Sequence, residues 1–384
     1  MRRSVAAAIL VAAVVVPVVL LLTHGGAPRH PHRVPPTPTP SAPPTPTPTS
    51  SRAFGANVEV LFNAQSYGAN AINDQLGALA ATGATLARAD ALWEASEPQP
   101  PQNGVHHYDW TFDDRIAGAL AAHHLRWLPI IDYSAPWAQS VPGQDHSPPA
   151  SDNDYAAYAA AFASRYGAGG SFWRLHPQLE PLPVDTYEIW NEPDSRYFWY
   201  PKPDATRYLQ LYMAARDAIA AVQPGATVIV GGLSSAATFI PELVSAGPDP
   251  KLDGVGIHPY GPNPQAVLSS VQSARAALSV AGLGSVPLYV TEFGWSSRPP
   301  GGLHYLPEAL RPTYIEQTLT GLGHLECGVA AVVLYAWVTA ESDPSDSNDW
   351  FGIHPPTGGN TADMSAFTAG LHAAAAPATS IPCG

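Results

Sequence analysis

Eight short apolar runs, each followed by an alanine-rich stretch with helical spacing, constrain this chain more than any other feature. The runs are FGANVEV (54–60), ATLARAD (84–90), LRWLPIIDY (125–133), VDTYEIW (184–190), ATVIVGG (226–232), GVGIHPY (254–260), PLYVTEF (287–293) and GVAAVVLYAW (328–337). Stretches such as DQLGALAATG, DDRIAGALAAHH, DYAAYAAAFASRYG and DATRYLQLYMAARDAIAAV lie between them and lose their pattern at Gly, Pro or His. Short apolar runs bounded by breakers read as buried strands. Their alternation with helices predicts a parallel α/β architecture. Eight repeats between residues 53 and 384 predict a closed (β/α)8 barrel, with a doubly wound sheet as the alternative. A doubly wound sheet usually binds a nucleotide through a glycine-rich first turn. Neither GxGxxG nor a GxxxxGK phosphate loop occurs.

In a barrel of this kind the C-terminal ends of the strands share one mouth, where chemistry collects. Six of the runs carry polar or aromatic residues there: Arg88 and Asp90; Asp132 and Tyr133; Asn191 and Glu192; His258 and Tyr260; Glu292; and Trp337. A carboxylate at the end of a buried strand is costly unless it has a partner or a task. Glu192 ends the fourth run in YEIWNEPD (187–194), and Glu292 lies in the seventh in VTEFGW. Strands four and seven lie nearly opposite in a ring of eight, so these carboxylates can converge over the mouth. Two carboxyls about 5–5.5 Å apart suit the retaining cleavage of a glycoside, one attacking carbon and the other moving the proton.

Trp-Asn-Glu-Pro after strand four and Thr-Glu-Phe-Gly-Trp in strand seven resemble clan A of the glycoside hydrolases. ARADALWEASEPQPPQNGVHHYDWTFDD, LPIIDYSAPWA and FGIHPP resemble its family 39 and related family 5-like members. The likeness covers most of residues 54–372. It implies a (β/α)8 retaining O-glycosidase acting on β-linkages. It implies Glu192 as acid/base and Glu292 as nucleophile. The negative charge of Glu292 would favour the protonated form of Glu192 until the glycosyl-enzyme forms. Arg88 and Tyr260 match groups that hydrogen-bond the nucleophile. Asn191 matches the residue on the substrate 2-hydroxyl, His258 a substrate contact, and Trp337 a platform under the sugar. The segment TGGNTADMSAFTAGL departs from the pattern by lacking the Lys-Pro-Ala often found before the final helix, which leaves subfamily and sugar open. A sugar-binding protein without turnover, a transglycosylase and a stalked adhesion protein are the rival readings. Intact Glu192, Glu292, Asn191 and Arg88 speak against the first, and the polar strand ends against the last.

Charge narrows the partners. All 31 Asp and Glu follow Arg52, against 13 of the 18 Lys and Arg, so residues 53–384 carry a net charge of −18. That disfavours nucleic acid or an anionic membrane as the main partner and suits a neutral carbohydrate. The N-terminus reads as a targeting segment: Met1–Arg2–Arg3 is basic, and Val5–Leu22 is apolar and interrupted only by Pro17. Residues 1–27 are therefore a signal peptide or an uncleaved signal anchor, placing the rest outside the cell, secreted or held on the outer face of the membrane through residues 5–22. Residues 28–52 form a linker, with sixteen of the seventeen residues 35–51 Pro, Ser or Thr, and 53–384 form the catalytic domain. The exported setting permits a bridge between Cys327 and Cys383, worth roughly 4 kcal/mol.

Other polar groups are read as structural. Glu97–Pro98 resembles a family loop motif, and Trp190 reads as core. The acidic ESDPSDSNDW (341–350) lacks the Gly and terminal Glu of an EF-hand loop and reads as a solvated rim. His106–His107 and His123–His124 lack a third ligand at metal-site spacing. No cofactor and no catalytic metal are predicted.

Overall fold

The computed structural model describes residues 52–63, 67–247 and 250–384. The predicted signal or anchor segment and nearly all of the linker lie outside these residues. All eight predicted strands form: β1 Ala53–Asn57, β2 Leu86–Leu92, β3 Arg126–Asp132, β4 Thr186–Ile189, β5 Thr227–Leu233, β6 Gly254–Ile257, β7 Leu288–Val290 and β8 Val329–Leu334. They pair in parallel in chain order, and β8 returns to β1 through Ala53 beside Ala331 and Ala56 beside Leu334. The sheet is therefore a closed barrel, and the doubly wound alternative is set aside.

A long helix follows each strand: α1 Ala69–Ala81, α2 Thr111–Ala122, α3 Asp152–Tyr166, α4 Ala205–Val222, α5 Ala236–Ser245, α6 Pro264–Val280, α7 Arg311–His324 and α8 Ala362–Ala375. Local sequence starts several of them. Ser151, Asp204, Asn263 and Thr361 each accept a hydrogen bond from the backbone N–H three residues on, satisfying a donor that the helix itself leaves open. Pro264 opens α6 where its missing N–H costs nothing.

The main core lies between sheet and helices. It includes Leu76, Phe162, Tyr212, Ile240, Leu278 and Phe367, all fully buried. A second, smaller cluster of Leu86, Leu128, Ile229, Ala331 and Val333 fills the barrel interior. Side chains alternate along a strand, so the inward row of β2 runs from Leu86 to Arg88 and Asp90. The apolar plug thus gives way to charge as the chain approaches the mouth.

The opposite end is closed by polar clamps. Arg52 donates to the carbonyls of Val329 (2.8 Å), Leu325 (2.9 Å) and Leu322. Cys327 and Cys383 are bridged, with Cα atoms 4.9 Å apart, tying the start of β8 to the C-terminus. The described residues form one compact unit. Among the described residues, no helix is long and apolar enough to cross a membrane.

Candidate active site

Glu292 follows β7 and is held from two sides. Arg88 Nη1 donates to its Oε1 at 2.6 Å, and the Tyr260 hydroxyl donates to its Oε2 at 2.7 Å. Arg88 is fully buried and serves two further partners: its Nε donates to Glu188 Oε2 at 2.7 Å and its Nη2 to Asn191 Oδ1 at 2.9 Å. Arg88 therefore lies beneath the cleft as a brace, while Asn191 and Glu292 face it. Glu188 needs this brace because it projects from β4 into the barrel. Its Oε1 also accepts from the Gly232 N–H (2.7 Å) and the Thr291 hydroxyl (3.0 Å).

Glu192 is set by its loop. Trp190 and Glu192 adopt positive φ angles of 67° and 42°, a conformation that non-glycine residues hold only when their surroundings enforce it. The Trp190 N–H bonds to Ile131 O (3.1 Å), its buried indole to Phe198 O (2.6 Å), and the Glu192 N–H to Gly232 O (3.2 Å). Glu192 Oε1 then meets His258 Nδ1 at 2.8 Å, and His258 Nε2 lies 3.1 Å from Thr291 Oγ1. The ring passes so close to β5 that a Cβ on Gly232 would sit 1.9 Å from Nε2, so the last glycine of ATVIVGG makes room for it. Burial opposes the His258 cation, but the charges of Glu292 and Glu192 outweigh it and raise the imidazole above its ordinary value.

One oxygen each from Glu192 and Glu292 and one nitrogen of His258 lie within 4.8 Å of one another. The same three atoms have the spacing to ligate a cation, yet Glu292 already carries a guanidinium and a phenol on its two oxygens. They face a cleft of about 510 Å³, lined also by Asn191, Tyr260, Tyr133, Tyr197, His304 and Tyr335, a size usual for small-molecule sites.

Trp337 does not reach this cleft. It is fully buried, stacked on His354 at 4.9 Å and close to Phe367 of α8. Its N–H bonds to Asn57 O and its carbonyl accepts from His354, which turns the ring outward between barrel and helix. Tyr335, two residues earlier, supplies the β8-end aromatic in the cleft. Glu97 is buried against Trp93 and His106, as a structural residue would be. The acidic rim loop occupies its own carboxylates: Asp349, Asp343 and Asp346 accept from Ser342, Ser345 and Asn348.

Sequence reasoning passed over Glu59, Glu188, Tyr197, His304 and Tyr335. Glu59 and Glu188 carried the signal that singled out Glu292, a carboxylate in or ending an apolar run. Tyr197 and His304 lie in loops with no pattern to mark them.

These features define a parallel (β/α)8 barrel with paired carboxylates at the ends of the fourth and seventh strands. The chain resembles clan A glycoside hydrolases of families 39 and 5. No protein-family model matches it. It is 25% identical over 249 residues to a beta-xylosidase of Geobacillus stearothermophilus, covering 56% of this chain and 46% of that protein. Its fold matches a family 39 glycoside hydrolase from Bacteroides cellulosilyticus WH2 at a TM-score of 0.65 and 19% identity, covering 84% of this chain and 64% of the other. A monomeric beta-xylosidase from Caulobacter crescentus CB15 matches at 0.63 and 20%, covering 83% and 67%. The chain thus spans about half the length of the curated relative it matches.

Proposed function

We propose that this protein is a retaining glycoside hydrolase that cleaves β-linked, neutral poly- or oligosaccharide outside the cell. The observation that carries the proposal is the convergence of Glu192 and Glu292 within 4.8 Å in one cleft. Retaining enzymes keep their carboxyls about 5–5.5 Å apart, and inverting enzymes about 6.5–9.5 Å. The resemblance to beta-xylosidases supports a β-linkage. The excess of acidic residues and the predicted export segment support a neutral, extracellular substrate.

In the first step a Glu292 oxygen attacks the anomeric carbon while Glu192 donates its proton to the departing glycosidic oxygen. The C–O bond to the leaving sugar breaks and a glycosyl ester forms on Glu292. In the second step Glu192 takes a proton from water, whose oxygen attacks the same carbon and frees Glu292. Two inversions return the original configuration. Arg88 and Tyr260 hold Glu292 for attack, and His258 orients Glu192. Asn191, placed beside the pair by its bond to Arg88, is positioned to meet the 2-hydroxyl. Hydrolysis and transglycosylation share these residues and differ only in whether water or a sugar takes the glycosyl group.

The test is hydrolysis of aryl β-glycosides and soluble β-glycans by residues 52–384, which keep the Arg52 clamp, with Glu292→Gln and Glu192→Gln beside the parent. Both variants should lose activity, and a 2-fluoro glycoside should label Glu292. Full activity in Glu292→Gln would remove the assignment. Glycan binding without turnover in the parent would favour a binding protein.

A further inference from the structure

A second pair of carboxyls faces the same cleft. Asn57 of β1 is in register with Arg88 of β2, so Glu59 and Asp90, each two residues on, become neighbours one layer nearer the mouth. Both line the cleft, and the charge of Asp90 lies close enough to raise Glu59. Each has one neutral donor: Asn57 Nδ2 to Glu59 Oε2 at 3.1 Å, and Asn63 Nδ2 to Asp90 Oδ2 at 2.7 Å. Neither has a cation among the described residues, because Arg88 is committed to Glu188, Glu292 and Asn191. Asp132 sharpens the imbalance. Strand alternation from Leu128 through Ile130, which lines the cleft, turns Asp132 toward the same interior. It is 1% exposed, and both its oxygens lack a partner among the described residues. A cleft wall so poor in donors calls for a ligand that brings them.

We propose that Glu59 and Asp90 are specificity-determining residues that bind the hydroxyls of an uncharged glycone and exclude sugars bearing a carboxylate. The inference rests on the roles given above to Glu192 and Glu292. The acid/base must face the leaving group, so the departing sugar lies on the side of β4. The ring that stays on Glu292 then lies toward β1, β2 and β8, against Glu59, Asp90 and Tyr335.

Burial, and then the charge of Asp90, pushes Glu59 up to about 8, and burial raises Asp90 as well. At neutral pH the pair therefore keeps a proton and offers one O–H donor beside acceptor oxygens, a match for adjacent sugar hydroxyls. A sugar carboxylate would meet an anionic pair that no cation contacts directly, the ion pairs of Arg88 going to Glu188 and Glu292. Above about pH 8 Glu59 loses its proton, and the pair loses that donor. The charged and titratable groups around it are Arg88, Asp132, Tyr133, Glu292 and Tyr335, all of which Glu59→Gln leaves in place.

The experiment compares the parent, Glu59→Gln and Asp90→Asn on 4-nitrophenyl β-xyloside, β-glucoside and β-glucuronide from pH 5 to 9, with near-ultraviolet dichroism to establish folding. On the best neutral substrate, kcat/KM should fall about 10–100-fold in Asp90→Asn, the loss of a charge-assisted hydrogen bond, and less in Glu59→Gln, whose amide keeps an uncharged donor. The parent KM should rise above about pH 8, and in Glu59→Gln that rise should vanish. The glucuronide-to-glucoside ratio of kcat/KM should increase roughly tenfold in Asp90→Asn, which removes the charge of the pair, and in Glu59→Gln only above about pH 8, where the parent loses the Glu59 proton. A parent that cleaves neutral glycosides, with folded variants unchanged in KM, pH profile and glucuronide ratio, overturns this inference and leaves the Glu192–Glu292 reading standing. A parent that cleaves none of the three substrates or the glycan panel overturns both. If one variant fails to fold, the other carries the comparison.

Discussion

Replacing Arg88 with methionine should separate what holds this barrel together from what makes it reactive. Arg88 and Glu188 are both fully buried and Glu292 nearly so, with 11% of its side chain exposed. Removing one member of a buried ion pair costs about 3–5 kcal/mol, because it strands the other charge. Glu188 keeps its bonds from the Gly232 N–H and the Thr291 hydroxyl, and Glu292 keeps Tyr260 and partial access to water. The loss in Arg88→Met should thus fall at the lower end, about 3 kcal/mol. Adding Glu188→Gln removes the more deeply stranded charge and should restore about half of that. It should restore no activity, since Glu292 still lacks its guanidinium. Urea unfolding with linear extrapolation measures the stability, and kcat/KM on an aryl β-glycoside measures the function. A loss below about 1 kcal/mol in Arg88→Met, or a double variant less stable than the single one, would refute the view of Arg88 as the counter-charge of this interior.

Tyr260→Phe removes only the hydroxyl bonded to Glu292 and should lower kcat about 10-fold or more with little change in stability, read from steady-state kinetics and thermal melts. Asp113, buried at the start of α2 with one oxygen lacking a partner among the described residues, is pushed by burial up to about 7. Its folded value lies above the unfolded one, so its contribution is fully present below about pH 4 and is lost as pH rises through about 7. Asp113→Asn should flatten the fall in stability across that window in urea titrations; an unchanged slope would discount the residue. Cys383→Ser opens a bridge separated by 56 residues and should cost about 4 kcal/mol on the chain-entropy account. Because Cys327 precedes β8, at the end away from the cleft, kcat of the folded protein should stay the same.

The order of the elements was legible because each strand and helix is written in its own local period. Eight apolar runs became eight strands in order, with boundaries shifted by a few residues. The polar strand ends were legible for the same reason, and Glu192, Glu292, Asn191, His258 and Tyr260 do share one cleft. Arg88 does bond Glu292, from beneath the cleft on the inward row of β2. One reading moved. Trp337 was read as a platform, yet it packs outward beside α8. The side on which an aromatic emerges after a strand depends on how the backbone turns there, which local pattern does not encode.

By itself, then, the chain determined its barrel, its mouth and the residue types that crowd there, since hydrophobic period and breakers act over a few residues. Only the closed tertiary structure decided who meets whom. The approach of Glu192 to Glu292 spans 100 residues, the contacts of Arg88 join β2 to β4 and β7, and the pairing of Glu59 with Asp90 depends on the register of β1 against β2. Those distances follow from ring closure and register, which every strand sets jointly and no single segment contains.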